Sequence, residues 1–476
     1  MTVRKSNRKT PRWVLASVVV AAVFMANLDL WIVNVALVDM GRGFGNSLSA
    51  VSWVLNAYAI GLAALLVPAG RLGDRLGQRR VFLSGIAVFT LASLGCAVAP
   101  NLALLVAARV LQAVGAAAQL PTSLALLMAS VEPHRRTNVA RGWAAVGALA
   151  AVCGPVLGGL LVTFDWRWVF VVNLPVGLAA WLVGRRVLPV EPARRDERLP
   201  DLVGSALLIV AVAALTGALV QAPIWGWASA GTAALVALTV LGTGAFVWRS
   251  ARHPQPLLEL PLLRIRHFAI ANVAFFCFGA AFAIMLLSNS LWCQNVWHYS
   301  VLRTGLAMAP SPAVVPFVTF GSTRLVHRIG PGPVAAIGSV LFAAALLWRI
   351  VLAKAAPHYL TDLLPSMLFS GIGVGLTLST LMAAGATALP PARAATGSAL
   401  VNSGRQVASA LGVAILVTAL GPTASVREFD LGWWLALAFI AATAVISLTL
   451  QHVRSEVSAA ASVPAAAPAE PIAELA

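Results

Sequence analysis

The sequence predicts an all-α polytopic membrane protein with two six-helix bundles, two additional transmembrane helices and both termini in the cytoplasm. Three observations carry this expectation. Of 476 residues, 60% are hydrophobic and only 10% are charged, with a mean hydropathy of +0.88. Soluble domains carry about 25% charged residues, so this chain lacks the polar surface a water-soluble fold needs. Apolar runs of about 20 residues, enough to cross ~30 Å of hydrocarbon at 1.5 Å per residue, recur from end to end. The basic residues also sort to one side. With the N-terminus inside, 25 of the 33 Lys and Arg fall in cytoplasmic segments or at the span ends beside them and 5 in or beside outer loops, leaving Arg109, Arg349 and Arg405 well inside spans. That asymmetry is the positive-inside pattern. The net charge of +17 therefore belongs to topology and anionic lipid, and nucleic acid is not an expected partner.

Residues 1–12, with Arg4, Lys5, Arg8, Lys9 and Arg12, form a cytoplasmic N-terminus. The run 13–38 imitates a secretory signal, but it is too long, carries Asp29 and lacks a small-residue cleavage site, so it reads as span one. Spans at 52–69, 81–99, 102–128, 138–162 and 167–184 complete an N-terminal bundle, 13–190. The polar stretch EPARRDERLP opens a linker, 191–260, that holds the extra spans 201–221 and 230–248. A C-terminal bundle, 261–452, follows with spans at 268–292, 304–323, 333–352, 360–386, 397–419 and 431–451, which makes fourteen in all. The Ala/Pro-rich end, 453–476, reads as a disordered cytoplasmic tail.

The bundles share a trace of internal repetition. GRLGDRLGQRR (70–80) and TRLVHRIGPGP (323–333) match at Leu72/Leu325, Arg75/Arg328 and Gly77/Gly330, an offset of 253, and each follows the second span of its bundle. Repeated halves with a substrate path between them are a common transporter plan.

Several residues stand out against this background. Asp29 is the one acid well inside any span, and an ionised carboxylate at a membrane helix centre costs roughly 2.5–3.5 kcal/mol. Arg109 lies in span four at a similar depth, in the outer half of the bilayer. Burial favours a neutral carboxyl and a nearby guanidinium favours a charged one, so a geometry that alternates between the two settings takes up and releases a proton. Arginine does not deprotonate, which leaves Asp29 as the carrier; the alternative is a fixed ion pair that never titrates. In GRLGDRLGQRR, Gly70, Gly73 and Gly77 allow close backbone approach, Asp74 can accept from a neighbouring helix's N-terminal amides, and Arg75, Arg79 and Arg80 surround it. A turn that only fixes topology is the plainer reading. Span five carries Gly147, Gly154, Pro155, Gly158 and Gly159, a small-residue face for close helix packing with a proline bend.

These segments in this order resemble the major facilitator superfamily, specifically its fourteen-span drug:proton antiporter branch. LDLWIVNVAL resembles the first-helix motif, although Trp31 stands where a small hydroxyl residue is usual. Arg109 with Gln112 and Gly115 resembles the fourth-helix motif, and GPVLGG resembles the antiporter motif of span five. SWVLNAYAI, DWRWVFVVNLPVG and TGSALVNSGRQVASALG are similar to further segments of the branch. The resemblance implies an exporter of drugs, antibiotics or other small lipophilic compounds that works by alternating access in the cell (inner or plasma) membrane. It also implies Asp29 and Arg109 as the proton-coupling pair, residues 70–80 as a cytoplasmic gate, and the proton gradient as energy source without a cofactor. A second copy of the gate with His327 in place of an acid implies a weaker latch. Candidate cavity-lining groups are Asn34, Trp53, Tyr58, Gln112, Gln119, Trp292, Asn402 and Arg405, although Arg405 could instead bond between helices.

The four cysteines lack metal-ligand spacing and read as small apolar residues. No metal site, catalytic cluster or P-loop is present in the sequence, and a monomer is expected. Trp166, Trp168, Trp433 and Trp434 sit near span ends and read as interfacial anchors. An importer on the same fold, or a non-transporting membrane sensor, are the competing readings.

Overall fold

The computed structural model describes residues 12–132, 136–189, 201–254, 256–388, 394–421 and 426–450. The basic N-terminus up to residue 11, the charged linker 190–200, Arg135, Arg393 and the C-terminal tail lie outside the described residues.

The described residues are helical, with no strand among them. In hydrocarbon each backbone N–H and C=O must find its partner within the spanning segment, which a helix achieves alone. In the N-terminal half the helices are α1 (Arg12–Phe44), α2 (Leu48–Val51), α3 (Trp53–Leu76), α4 (Gln78–Ala97), α5 (Leu102–Ala129), α6 (Arg136–Val162), α7 (Trp168–Val171) and α8 (Asn173–Val187). Two follow in the middle of the chain, α9 (Leu202–Trp225) and α10 (Ala230–Arg252). The C-terminal half has α11 (Arg266–Leu291), α12 (Val301–Met308), α13 (Pro310–Ile329), α14 (Pro331–Leu352), α15 (Leu364–Thr387), α16 (Ala394–Leu420) and α17 (Val426–Leu448). Single π-helical turns, Trp292–Val296 and Tyr359–Leu363, adjoin α11 and α15. Among the described residues, 13 helical segments are long and apolar enough to cross a membrane, and α6 adds a shorter apolar stretch, Leu149–Val162. The predicted spans fall on these helices, with 167–184 covering parts of α7 and α8 and 304–323 parts of α12 and α13.

Side-chain caps set several helix starts. The Ser47, Asn101, Asp201, Ser229 and Ser300 side chains each accept from the backbone N–H three residues on, closing one of the orphan donors of the first turn. The repeat seen in the sequence has a structural counterpart. Gly77 and Gly330 end α3 and α13 at φ 95° and 90°, a conformation costly for any residue with a Cβ. Each donates its N–H to the carbonyl four residues back. Both halves thus turn sharply on glycine between their second and third spans.

Within the first half α1 packs on α6 and α8, and α4 on α5 and α8; within the second, α11 packs on α16 and α17, and α14 on α15 and α17. The halves meet where α3 lies against α16 and α6 against α12 and α13. Helix α9 covers the α3–α16 seam, with Thr418 Oγ1 donating to Leu219 O at 2.7 Å, and α10 rests on α9. Asp201, at the start of α9, pairs with Arg249 near the end of α10 at 2.6 Å. Exposed apolar side chains such as Leu91, Leu241, Phe317 and Val351 form a lipid-facing coat, as expected for a multi-pass membrane protein. Trp31 against Phe282, Ser290 against Asn34 and Gln294 against Val35 show that α1 and α11 run parallel. The end at which both finish is termed distal below.

Two of the expected interfacial anchors are corrected. Trp168 and Trp434 are about half exposed, but Trp166 and Trp433 are buried. Consecutive helical residues point about 100° apart, so Trp434 faces outward while Trp433 enters the second bundle. Trp166 is taken up beneath Phe44 and Gly43 of α1. All four cysteines are free thiols.

Candidate functional site

The distal half of the first bundle holds a buried polar network built around an acid and a base. Asp29 enters from the middle of α1. Arg109 and Gln112, one turn apart on α5, point to the same place, as do Ser93 and Cys96 on α4. Asn173, the first residue of α8, completes the ring, and all six residues are buried.

The Arg109 guanidinium donates to Asp29 Oδ2 through Nη1. Asp29 Oδ1 accepts from Gln112 Nε2 at 2.9 Å and from Asn173 Nδ2 at 3.2 Å. Arg109 Nε donates to Val54 O at 3.0 Å, and Nη1 also donates to Gln112 Oε1 at 2.6 Å. Ser93 Oγ receives Gln112 Nε2 at 2.8 Å and itself donates to Phe89 O. Cys96 Sγ donates to Gln112 Oε1 at 3.7 Å. The Tyr58 ring lies 4.1 Å from Arg109 Cζ, with Phe170 further off at 5.8 Å.

The pair is charge-neutral and both carboxylate oxygens are engaged. Removing one member of such a buried pair usually costs about 3–5 kcal/mol, because it strands the other charge. Arg109 is held by more than the carboxylate: Gln112, the Val54 carbonyl and the Tyr58 face are its further partners.

The glycines of α6 make a second feature. A Cβ on Gly154 would strike the Trp31 side chain, and one on Gly158 would lie 3.0 Å from Ile32. On Gly159 a Cβ would come 2.7 Å from Leu302 Cα, and Gly305 presses on the Pro155 carbonyl. The GPxxGG face is therefore bare because α1 of its own half and α12 of the other half both lie against it, at the distal end. Trp31 uses the Gly154 surface and reaches Phe282 of α11, ring centroids 5.6 Å apart. Gly147 faces Asn27 without crowding.

In the segment 70–80, Gly70 and Gly73 bring α3 onto Pro121 and Thr122 of α5. Asp74 accepts from Gln78 Nε2 at 2.7 Å, inside its own turn, and Arg79 donates to the Arg185 carbonyl. Arg75 is partly exposed and Arg80 exposed. Arg71 reaches across to the chain after α10, bonding Pro256 O at 3.1 Å and Glu259 at 3.3 Å.

The expected cavity residues separate into groups. Tyr58, Gln112, Gln119 and Trp292 are buried inside the bundles, so in this structure they do not line a passage between the halves. Gln119 Nε2 bonds the Gly85 and Gly115 carbonyls at 3.2 Å each, tying α5 to α4, whereas Trp292 belongs to an aromatic cluster with Trp297, Phe429 and Trp433. Asn34 bonds back to Leu30 O at the α1–α11 contact. Trp53 is half-buried near Gly217 of α9. Asn402 accepts from Arg405 at 3.1 Å, and both are half-buried. Among the described residues no cluster of His, Cys, Asp and Glu could hold a metal ion.

Sequence reasoning found Asp29, Arg109 and Gln112 but missed the network roles of Ser93, Cys96 and Asn173. The signal for Asn173 was its position, a strong hydrogen-bonding side chain at the start of an apolar helix.

The model of the Major Facilitator Superfamily matches residues 19–413. The multidrug resistance protein Stp of Mycobacterium tuberculosis is 36% identical over 402 residues, 83% of this chain and 74% of Stp. The methylenomycin A resistance protein of Streptomyces coelicolor is 30% identical, covering 91% of this chain and 90% of its own length. The tetracenomycin C resistance and export protein of Streptomyces glaucescens is 32% identical, covering 85% and 75%. In solved structures the fold is similar to PepTSo, a POT family transporter, at a TM-score of 0.62 and 14% identity, covering 91% of this chain and 96% of that one.

Proposed function

Because the chain belongs to the Major Facilitator Superfamily, we propose that it is a proton-coupled antiporter that exports drugs, antibiotics or other small lipophilic compounds across the plasma membrane. The names of its relatives support the cargo class: Stp is a multidrug resistance protein, and the two Streptomyces proteins confer resistance to methylenomycin A and tetracenomycin C. The plan is fourteen spans with cytoplasmic termini, two six-helix bundles and the α9–α10 pair between them, acting as a monomer. No cofactor takes part; the proton gradient supplies about 1.4 kcal/mol per pH unit and ~2.3 kcal/mol per charge per 100 mV.

The observation that carries this reading is the Asp29–Arg109 network, a buried acid whose arginine has alternative partners. Protonation releases Arg109 toward Gln112, Val54 O and Tyr58, and the α1 contacts at Trp31 and Ile32 transmit the change to the glycine face of α6. That face meets α12, so the distal seal between the halves senses the charge on Asp29. The deprotonated, substrate-loaded protein opens the seal and releases the substrate outside; a proton taken up there favours closing it, and release of that proton to the cytoplasm completes the exchange. In the cycle residues 70–80 act as the cytoplasmic gate.

The test is expression in a drug-sensitive host lacking its own pumps, with wild type beside Asp29→Asn. Wild type lowers accumulation of at least one lipophilic compound and Asp29→Asn does not. Equal export by both variants, at equal membrane abundance, removes Asp29 from the mechanism.

A further inference from the structure

The second bundle contains a buried arginine of the opposite character to Arg109. Arg349, near the distal end of α14, is 2% exposed, yet its Nε, Nη1 and Nη2 have no hydrogen-bond partner. Its guanidinium sits among three tryptophans, with Cζ 4.7 Å from the Trp433 ring, 5.3 Å from Trp292 and 5.8 Å from Trp297. Aromatic faces attract a cation, but they leave its N–H groups unused. The Trp292 Nε1 is also buried and unpartnered, so four donor nitrogens are orphaned in one small region. Trp433 and Trp297 have spent theirs on Ser288 Oγ and Lys354 O.

Asp362 is the carboxylate whose charge is felt at Arg349, but no ion pair joins them. Its Oδ1 takes Thr361 and its Oδ2 is unpartnered. A cavity of about 210 Å³ lies next door, lined by Tyr299, Arg303, Leu306, Ala307 and Tyr359. One aromatic layer separates cavity and cage, since the Tyr299 and Trp297 rings lie 5.3 Å apart. Arg349 is thus buried without an ion-pair partner, and Arg303, exposed at the mouth of the cavity with its guanidinium 3.8 Å from the Tyr299 ring, adds a second positive charge there. Arginine cannot shed its proton to relieve this, and an uncompensated buried charge is costly.

We propose that the Arg349 cage is a binding site for a small monovalent anion such as chloride, admitted from the Arg303-lined cavity. The anion accepts from the guanidinium and from the Trp292 indole N–H, and gives Arg349 the contacting counter-charge it lacks. A buried water would satisfy some of the same donors but would leave the charge in place. The site lies on α14 of the second half, apart from the Asp29 network of the first, and does not depend on transport.

The experiment uses the full-length protein in detergent at constant ionic strength, with sodium chloride or bromide against sodium gluconate. A ligand bound only by the folded state raises the unfolding midpoint; a rise of roughly 2–4 °C in the halides is expected, and its loss in Arg349→Gln. Bromide should also quench the wild-type tryptophan emission with a saturable component. This second readout keeps the proposal testable should Arg349→Gln fail to fold. Equal wild-type midpoints in chloride and gluconate, purely linear quenching, or a full halide shift retained by folded Arg349→Gln would overturn it.

Discussion

Asn173 donates to both Asp29 Oδ1 and Ser93 Oγ, which makes it a positioning residue for the proposed proton carrier. Asn173→Ala leaves the ion pair but removes one charge-assisted bond, a loss of about 1.5–3 kcal/mol. Export is expected to fall while the protein still reaches the membrane at normal abundance. Arg109→Gln is harsher, because it strands Asp29 in an apolar interior. Its expected signature is a lowered unfolding midpoint, partly restored in the double variant with Asp29→Asn, where no charge remains to strand. Failure of the second substitution to restore anything would mean that the two residues are not energetically coupled. At this scale the sequence disclosed charges better than contacts. Asp29 and Arg109 are conspicuous because their charge is foreign to a span. Ser93 and Asn173 are not, since short polar side chains occur throughout such helices and their partnership joins residues 80 positions apart.

The helices were legible because hydrocarbon imposes one structure on an apolar run, and length then sets the count. Helix ends were less so. Span one was expected to end near 38, but α1 continues to Phe44, because Gly41 and Gly43 can stay helical when packed on Asn46 and Trp166. Which face a helix buries was legible only where small residues or charges marked it, as Trp433 and Trp434 illustrate. The glycine face of α6 yields a prediction at this scale. Gly159→Val places a side chain into the Leu302 backbone across the halves, whereas Gly147→Ala meets only Asn27 at 3.6 Å. Export by Gly159→Val should drop severely at preserved abundance, while Gly147→Ala should stay near wild type. Similar behaviour of the two would dissociate the seal from the motif. The Arg71 contact with Glu259 makes a comparable link at the other end, tying the segment 70–80 to the chain that follows α10.

Across the whole molecule, the sequence carried the two-half plan through a single short repeat, and Gly77 and Gly330 share a conformation as well as an offset. The two halves have nevertheless diverged in their buried charges. At the 253-residue offset Arg109 maps to Asp362 and Cys96 to Arg349, so the first half holds a closed pair while the second holds an open one. No local pattern could have told these apart, because the difference lies in whether partners separated by a helix length actually meet. The topology itself is testable. Reporter fusions at both termini should be active only in the cytoplasm; termini on opposite sides would require an odd number of spans, and two external termini would invert the orientation. The proposed transport cycle asks more of the molecule, namely that the charge state of one residue in α1 changes while the halves rearrange.

That exchange can be followed directly by infrared difference spectroscopy of the purified, membrane-reconstituted protein during acidification across the pH range in which it transports. A protonated-carboxyl band that grows in the wild type and is missing from Asp29→Asn is the predicted result. An identical band in both proteins, or none in either while export proceeds, would contradict the account.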